Sequence, residues 1–181
     1  MTRFLLLSLF TIFAANTVVA QTTSSPYSGF ENRSIKALSS QQIADYRAGK
    51  GMSLALAAEL NGYPGPRHVL DFAEEISLND RQLEEVGELF RLMKKEASDL
   101  GVRLVEMEER LDAMFHENRI DEESLRLATA ELADLQGQLR FTHLRYHLVT
   151  KDILGPTQVS KYNLLRGYGD QASAVGQKHS H

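Results

Sequence analysis

The chain of 181 residues contains no cysteine and no tryptophan, and it has only four prolines. Without cysteine there can be no disulfides, no thiolate metal ligands and no lipid attachment of the lipoprotein kind. The few aromatic residues, together with many Leu, Ala, Glu and Arg, are typical of long helices rather than sheets. These absences already favour an all-α protein.

The sequence also lacks an excess of positive charge. It has 20 Lys and Arg against 24 Asp and Glu, which gives a net charge of −4, and no basic cluster. We therefore expect no nucleic-acid partner. Gly-x-Ser-x-Gly, HExxH and glycine-rich phosphate-loop motifs are missing as well. The sequence predicts a protein that acts by binding and is not an enzyme, with no required cofactor.

The only long apolar run is at the N-terminus. Arg3 precedes an apolar stretch over 4–15, and Val-Val-Ala at 18–20 provides the small residues of a cleavage site. This pattern predicts a signal peptide over 1–20 that is cleaved after Ala20, leaving a periplasmic, soluble protein of net charge −5. The run is too short for a comfortable membrane span, although an uncleaved anchor is the alternative. The Ser-, Thr- and Gly-rich segment 21–37 is expected to be a flexible leader, and 169–181 a disordered tail.

Two series of apolar positions alternate in steps of three and four residues. This spacing averages 3.5 residues and predicts two helices, about 79–115 and 121–153, that pack along narrow seams. Because only a short segment separates them, we expect a long antiparallel helical hairpin. The first seam comprises Leu83, Val86, Phe90, Met93, Ala97, Leu100, Leu104, Met107, Leu111 and Met114, and the second comprises Leu125, Ala128, Leu132, Leu135, Leu139, Thr142, Tyr146, Val149 and Ile153.

Short helices are expected to flank the hairpin within one domain, 38–168. The predicted ranges are 39–47, 52–60, 66–75 and 156–166, with an Asn-Gly-Tyr-Pro-Gly breaker at 61–65.

Three of the predicted helix starts share the pattern Leu-x-x-x-Gln followed by an apolar residue. With Leu at N′ and Gln at N3, the pattern predicts a hydrophobic staple combined with a capping box. The third copy has glycine at the N-cap, so it can form only half of the box. The motif residues are Leu38, Ser39 and Gln42; Leu78, Asn79 and Gln82; and Leu154, Gly155 and Gln158.

These starts resemble the LTxxQ motif of the Spy/CpxP superfamily of periplasmic helical proteins. The order of parts is similar too: a signal peptide, short helices, one motif copy before a long hairpin and another before the final helix. Segments 47–68 and 164–168 look like a subgroup labelled as periplasmic heavy-metal sensors or refolding chaperones. Ser39, Asn79 and Gly155 stand where the family has threonine.

The resemblance implies an intertwined, cradle-like homodimer. Spy-like members hold unfolding proteins without ATP, CpxP-like members also damp an envelope-stress kinase, and metal-sensing members bind zinc, nickel or cobalt. We therefore predict an ATP-independent periplasmic chaperone or stress-response protein that binds unfolded proteins or a membrane stress sensor. The alternative is a sensor or buffer of zinc, nickel, cobalt or copper.

Two groups of residues are candidate sites. Phe141, Leu144 and Leu148 lie opposite the second seam, where we expect the short helices to cover them; a dimer interface or client surface is the alternative. His143 and His147 are four residues apart and could reach one metal ion, with His68 as a third ligand. Glu59, Glu74 or a second subunit could complete such a set. The competing interpretation is that these are ordinary, partly exposed histidines.

Overall fold

The computed structural model describes residues 25–168, which form an all-helical structure without any strand in that range. The predicted signal peptide and the tail 169–181, with His179 and His181, lie outside the described residues. A short 3-10 turn, Phe30–Asn32, precedes six helices. They are α1 (Ser40–Arg47), α2 (Leu56–Glu59), α3 (Pro66–Asp71), α4 (Asp80–His116), α5 (Glu122–Ile153) and α6 (Pro156–Leu165).

The two long helices, α4 and α5, pack against each other along the predicted seams. The core between them consists of seam residues from both helices, namely Ala97, Leu104, Met107, Ala128, Leu132, Leu135 and Leu139. Leu83 and Val149 are exceptions, since both are exposed. They lie between the core along the seams and a second core. This second core is formed by Val69, Ile76, Val86, Leu154 and Tyr162.

Polar contacts show which parts of the long helices meet. The Glu96 carboxylate on α4 accepts hydrogen bonds from Arg145 Nη2 at 2.5 Å and from Tyr146 Oη at 2.9 Å on α5. Burial, and then the bond to Glu96, raise the pKa of Tyr146. Gln82 Nε2, near the start of α4, donates to the Ile153 carbonyl at the end of α5. The beginning of one helix therefore lies against the end of the other.

Two of the short helices, α2 and α3, are shorter than predicted. The helix expected over 52–60 contains only Leu56–Glu59, because Met52 and Ser53 adopt positive φ angles of 42° and 64°. Left-handed backbone at two consecutive residues cannot continue a right-handed helix. The helix expected over 66–75 ends at Asp71.

The segment 21–37 is predicted to be a flexible leader, but its last residues pack against the rest of the protein. Ile35 is buried in a small core with Leu38 and Val105. The backbone N–H of Lys36 donates to Asp112 Oδ1 at 3.1 Å, and its Nζ lies 3.2 Å from Oδ2. The last residues of 21–37 are therefore packed onto α4.

The predicted capping boxes form where the N-cap residue has a side chain. Ser39 Oγ accepts from the backbone N–H of Gln42, and Gln42 Oε1 accepts from that of Ser39. Asn79 and Gln82 make the same two bonds. At α6 only the Gly155 N–H to Gln158 Oε1 bond exists, at 2.9 Å, so the predicted half box is confirmed.

None of the helices within residues 25–168 combines the length and the apolar character that crossing a bilayer requires.

Candidate functional site

The outer surface of α5 carries an exposed apolar face. Phe141 is 61% exposed, Leu148 is 53% exposed and Leu127, in the second turn of α5, is 55% exposed, while Leu144 is half-buried. They belong to a series that alternates in steps of three and four, offset by two positions from the buried seam. We call this series the outer face: Leu127, Ala130, Asp134, Gly137, Phe141, Leu144 and Leu148.

The expectation that the short helices cover this face is wrong for Phe141 and Leu148. The helices α2 and α3 contact α5, but besides the seam residues the α5 side chains buried in this region are His143, His147 and Thr150. These positions lie on another side of the helix from Phe141 and Leu148. The short helices thus leave the outer face uncovered by residues 25–168.

The middle of the outer face is open. A Cβ atom added at Gly137 would meet no heavy atom within 4 Å, and Asp134 is exposed and accepts a hydrogen bond from Gln138 Nε2 at 2.6 Å. At its C-terminal half, the Arg145 guanidinium lies 5.8 Å from the centroid of the Phe141 ring while it also pairs with Glu96. The face therefore combines large apolar side chains with charges held in place beside them.

The two helical histidines are buried, so the expectation that they are partly exposed is wrong for both. His143 is only 2% exposed, and its Nε2 has no hydrogen-bond partner. His147 Nδ1 lies 2.7 Å from the carbonyl oxygen of Tyr63. The ring of His147 lies so close to Gly65 that a Cβ there would approach it to 2.7 Å. Burial, and then the neighbouring His147, lower the pKa of His143, while the Lys50 backbone has the opposite effect.

Next to the histidines, Glu59 is a buried carboxylate with several partners. Its Oε1 accepts from Tyr162 Oη at 2.5 Å, Arg166 Nε at 3.2 Å and Tyr168 Oη at 3.3 Å. Its Oε2 accepts from the Gly65 N–H at 3.3 Å. Burial, and then the bond to Glu59, raise the pKa of Tyr162. Glu59 therefore joins α2 to α6 and to the residues after it.

The candidate metal ligands come together only in part. His147 Nδ1 lies 3.7 Å from Glu59 Oε2, whereas His68 Nδ1 is 3.2 Å from Asp71 Oδ2 on its own helix. Glu59, His68, His143 and His147 all line one cavity of about 640 Å³. No group of three or more His, Asp or Glu side chains between residues 25 and 168 is arranged to hold a metal ion.

Comparison with protein-family models, with curated proteins and with solved structures finds no match for this chain.

Two features of these sites have weak or no signals in the sequence. Leu127 shares the three-four spacing of Phe141, Leu144 and Leu148, but Asp134 and Gly137 interrupt the apolar pattern between them. The network around Glu59 had no such signal, because Tyr162 and Arg166 are more than 100 residues away along the chain.

Proposed function

We propose that the protein is an ATP-independent chaperone or stress-response protein of the Spy/CpxP type, exported to the periplasm. It binds unfolded or partner proteins on the outer face of α5. The observation that carries this proposal is the exposure of Phe141, Leu148 and Leu127 at regular spacing on one long helix. Large apolar side chains exposed together on one side of a helix are typical of sites that bind other proteins.

The chemistry of the face suits weak binding of many sequences. Its apolar side chains are separated by small or polar positions, and Arg145 is fixed by Glu96 beside Phe141. Such a surface can bury the apolar segments of an unfolding chain in several registers, without a pocket that selects one side chain. Binding of this kind needs neither turnover nor a nucleotide.

The resemblance to Spy/CpxP proteins supports a larger assembly. In this proposal α4 and α5 form an antiparallel hairpin, and two hairpins intertwine into a cradle-like homodimer. A second copy of the chain then competes with unfolded proteins for the outer face. A membrane stress sensor is another protein that the outer face can bind.

The test is suppression of the aggregation of a slowly unfolding client by the mature protein at several-fold molar excess. We expect suppression by the wild type, a marked loss in the double variant Phe141→Ser/Leu148→Ser, and no loss in Leu164→Ser. Leu164 is an exposed leucine on α6, outside the outer face, and so it is the matched control. Absence of suppression by the wild type would contradict the proposal.

Sedimentation velocity on the same variants shows whether the outer face binds client proteins or a second copy of the chain. If the outer face binds clients, the double variant keeps the oligomeric state of the wild type. If a second copy covers the face, the double variant dissociates, because the substitutions remove apolar area from the subunit contact.

The alternative function, sensing or buffering of a transition metal, has one observation in its favour. His143 has a lowered pKa and an unpartnered Nε2, and a neutral imidazole is the form that binds metals. However, His147 already uses Nδ1 at the Tyr63 carbonyl, and both Glu59 oxygens accept hydrogen bonds. The outer face is therefore the better-supported site.

A further inference from the structure

The cavity beside His143 has the size and lining of a site for a small organic molecule. Its volume is about 640 Å³, which lies within the range of about 300–1,000 Å³ typical of ligand sites. It lies between the loop 48–55, α2, the start of α3 and the facing sides of α4 and α5. Apolar side chains form much of its wall: Met52, Leu56, Pro66, Phe90 and Met93.

The charges around the cavity are opposite in sign to the net charge of the protein. The only carboxylate among its lining residues is Glu59, whereas the chain as a whole has a net charge of −4. The lining also includes four basic residues: Lys50, Arg67, Lys94 and Arg166. A cavity with this balance attracts anions and disfavours cations.

Only one of these cations lacks a carboxylate partner. Lys50 pairs with Asp45 at 2.7 Å, Arg67 with Asp71 at 3.2 Å and Arg166 with Glu59 at 3.2 Å. No carboxylate between residues 25 and 168 lies within 4.0 Å of the Lys94 ammonium group. Lys94 can therefore bind an incoming anion without breaking an existing ion pair.

A second polar group at the cavity is also without a partner. His143 is almost completely buried, and its Nε2 makes no hydrogen bond. An unpaired buried polar atom is unfavourable, and this one is closed to solvent beneath the cavity wall. The Lys94 ammonium group is therefore the charged position at the cavity that an incoming anion can reach.

We propose that this cavity binds a small amphipathic organic anion. Its carboxylate binds Lys94, and its apolar body packs on Phe90, Met93 and Leu56. The site lies on the side of α5 that carries His143 and His147, not on the outer face. The proposal is therefore independent of chaperone activity.

Calorimetric titration of the mature protein with decanoate tests this proposal. We expect saturable binding of decanoate and much weaker binding of decyltrimethylammonium, which has the same chain length and the opposite charge. Lys94→Gln should weaken decanoate binding about tenfold, because a charge-assisted contact is lost. Lys95→Gln is the matched control, since Lys95 pairs with Asp99 at 2.7 Å and does not line the cavity.

A second pair of variants locates the apolar end of the ligand. Leu56 lines the cavity, whereas Leu60, four residues later, does not, and both side chains are exposed. Leu56→Glu should weaken decanoate binding, because it places a negative charge at the cavity, and Leu60→Glu should not. The proposal would be overturned if decanoate did not bind, or if decanoate and decyltrimethylammonium bound equally. It would also be overturned if the two variants in either pair weakened decanoate binding equally.

Discussion

Gln82 and Gln158 exchange hydrogen bonds through their side-chain amides. Gln82 Nε2 donates to Gln158 Oε1 at 2.9 Å, and Gln158 Nε2 donates to Gln82 Oε1 at 3.0 Å. Each oxygen also accepts the N-cap N–H of its own helix, from Asn79 in α4 and from Gly155 in α6. Two copies of the Leu-x-x-x-Gln motif therefore start two helices and also join those starts to each other.

Replacement of Gln158 should destabilise the protein more than replacement of Gln42. Gln158→Ala removes both bonds to the buried Gln82 amide and the bond to the Gly155 N–H, so we expect the free energy of unfolding to fall by about 1–3 kcal/mol. Gln42 is exposed and bonds only within its own cap, so Gln42→Ala should cost about 0.5–1 kcal/mol. Urea denaturation measures both values.

A double-mutant cycle on Gln82→Ala and Gln158→Ala then measures the interaction free energy between the two side chains. We expect a coupling energy of about 0.5–3 kcal/mol. Additive effects of the two substitutions would contradict a direct interaction.

Two glycines in α4 should respond to alanine in opposite directions. A Cβ at Gly101 would lie 2.0 Å from the carbonyl oxygen of Tyr46, so Gly101→Ala must push α1 away and should cost about 3 kcal/mol. A Cβ at Gly87 would meet nothing within 4 Å, so Gly87→Ala should stabilise the helix by about 0.5–1 kcal/mol. Thermal or urea unfolding compares the two; destabilisation by both to the same extent would refute the close approach of α1 to Gly101.

The buried His143 should make stability depend on pH. Burial, and then His147, lower the pKa of His143 in the folded state, so the unfolded chain takes up a proton there more readily. The free energy of unfolding should therefore decrease as the pH falls below about 6.5, the ordinary histidine value. His143→Gln removes this contribution, so its unfolding free energy should vary less steeply between about pH 7 and 5. Identical slopes for variant and wild type would show that His143 does not contribute.

Metal titration distinguishes the two functions considered above. The metal alternative predicts binding of zinc, nickel, cobalt or copper in the micromolar range or tighter that is lost in His143→Ala and in His147→Ala. The chaperone proposal predicts that these substitutions leave suppression of client aggregation unchanged in protein that remains folded. Circular dichroism of both variants checks the fold before either assay.

The helical parts of the fold could be predicted because their signals are local. The seams from Leu83 and from Leu125 repeat over many turns, and the predicted ends of α4 and α5 differ from the observed ends by about a residue. The capping boxes at Ser39 and Asn79 depend on residues three positions apart, so spacing alone was sufficient. The shortening of α2 was not predictable, since nothing in the residue types of Met52 and Ser53 indicates left-handed backbone.

The sites could be predicted only in part, because they depend on which side of α5 is covered. Apolar spacing on two sides of α5 did not reveal that the short helices would bury His143 and His147 and leave Phe141 exposed. The Gln82–Gln158 pair and the bonds of Glu59 to Tyr162 and Arg166 join residues far apart in sequence. Such contacts follow from helix packing and not from local spacing.

Site-specific crosslinking tests the role of the outer face most directly, and the absence of cysteine makes it straightforward. A photoreactive maleimide is attached to Leu148→Cys on the outer face or, as the control, to Leu164→Cys on α6, and each protein is irradiated with an unfolding client. The account predicts client adducts from position 148 and few from position 164. Equal adducts from both positions, or none from position 148, would contradict it.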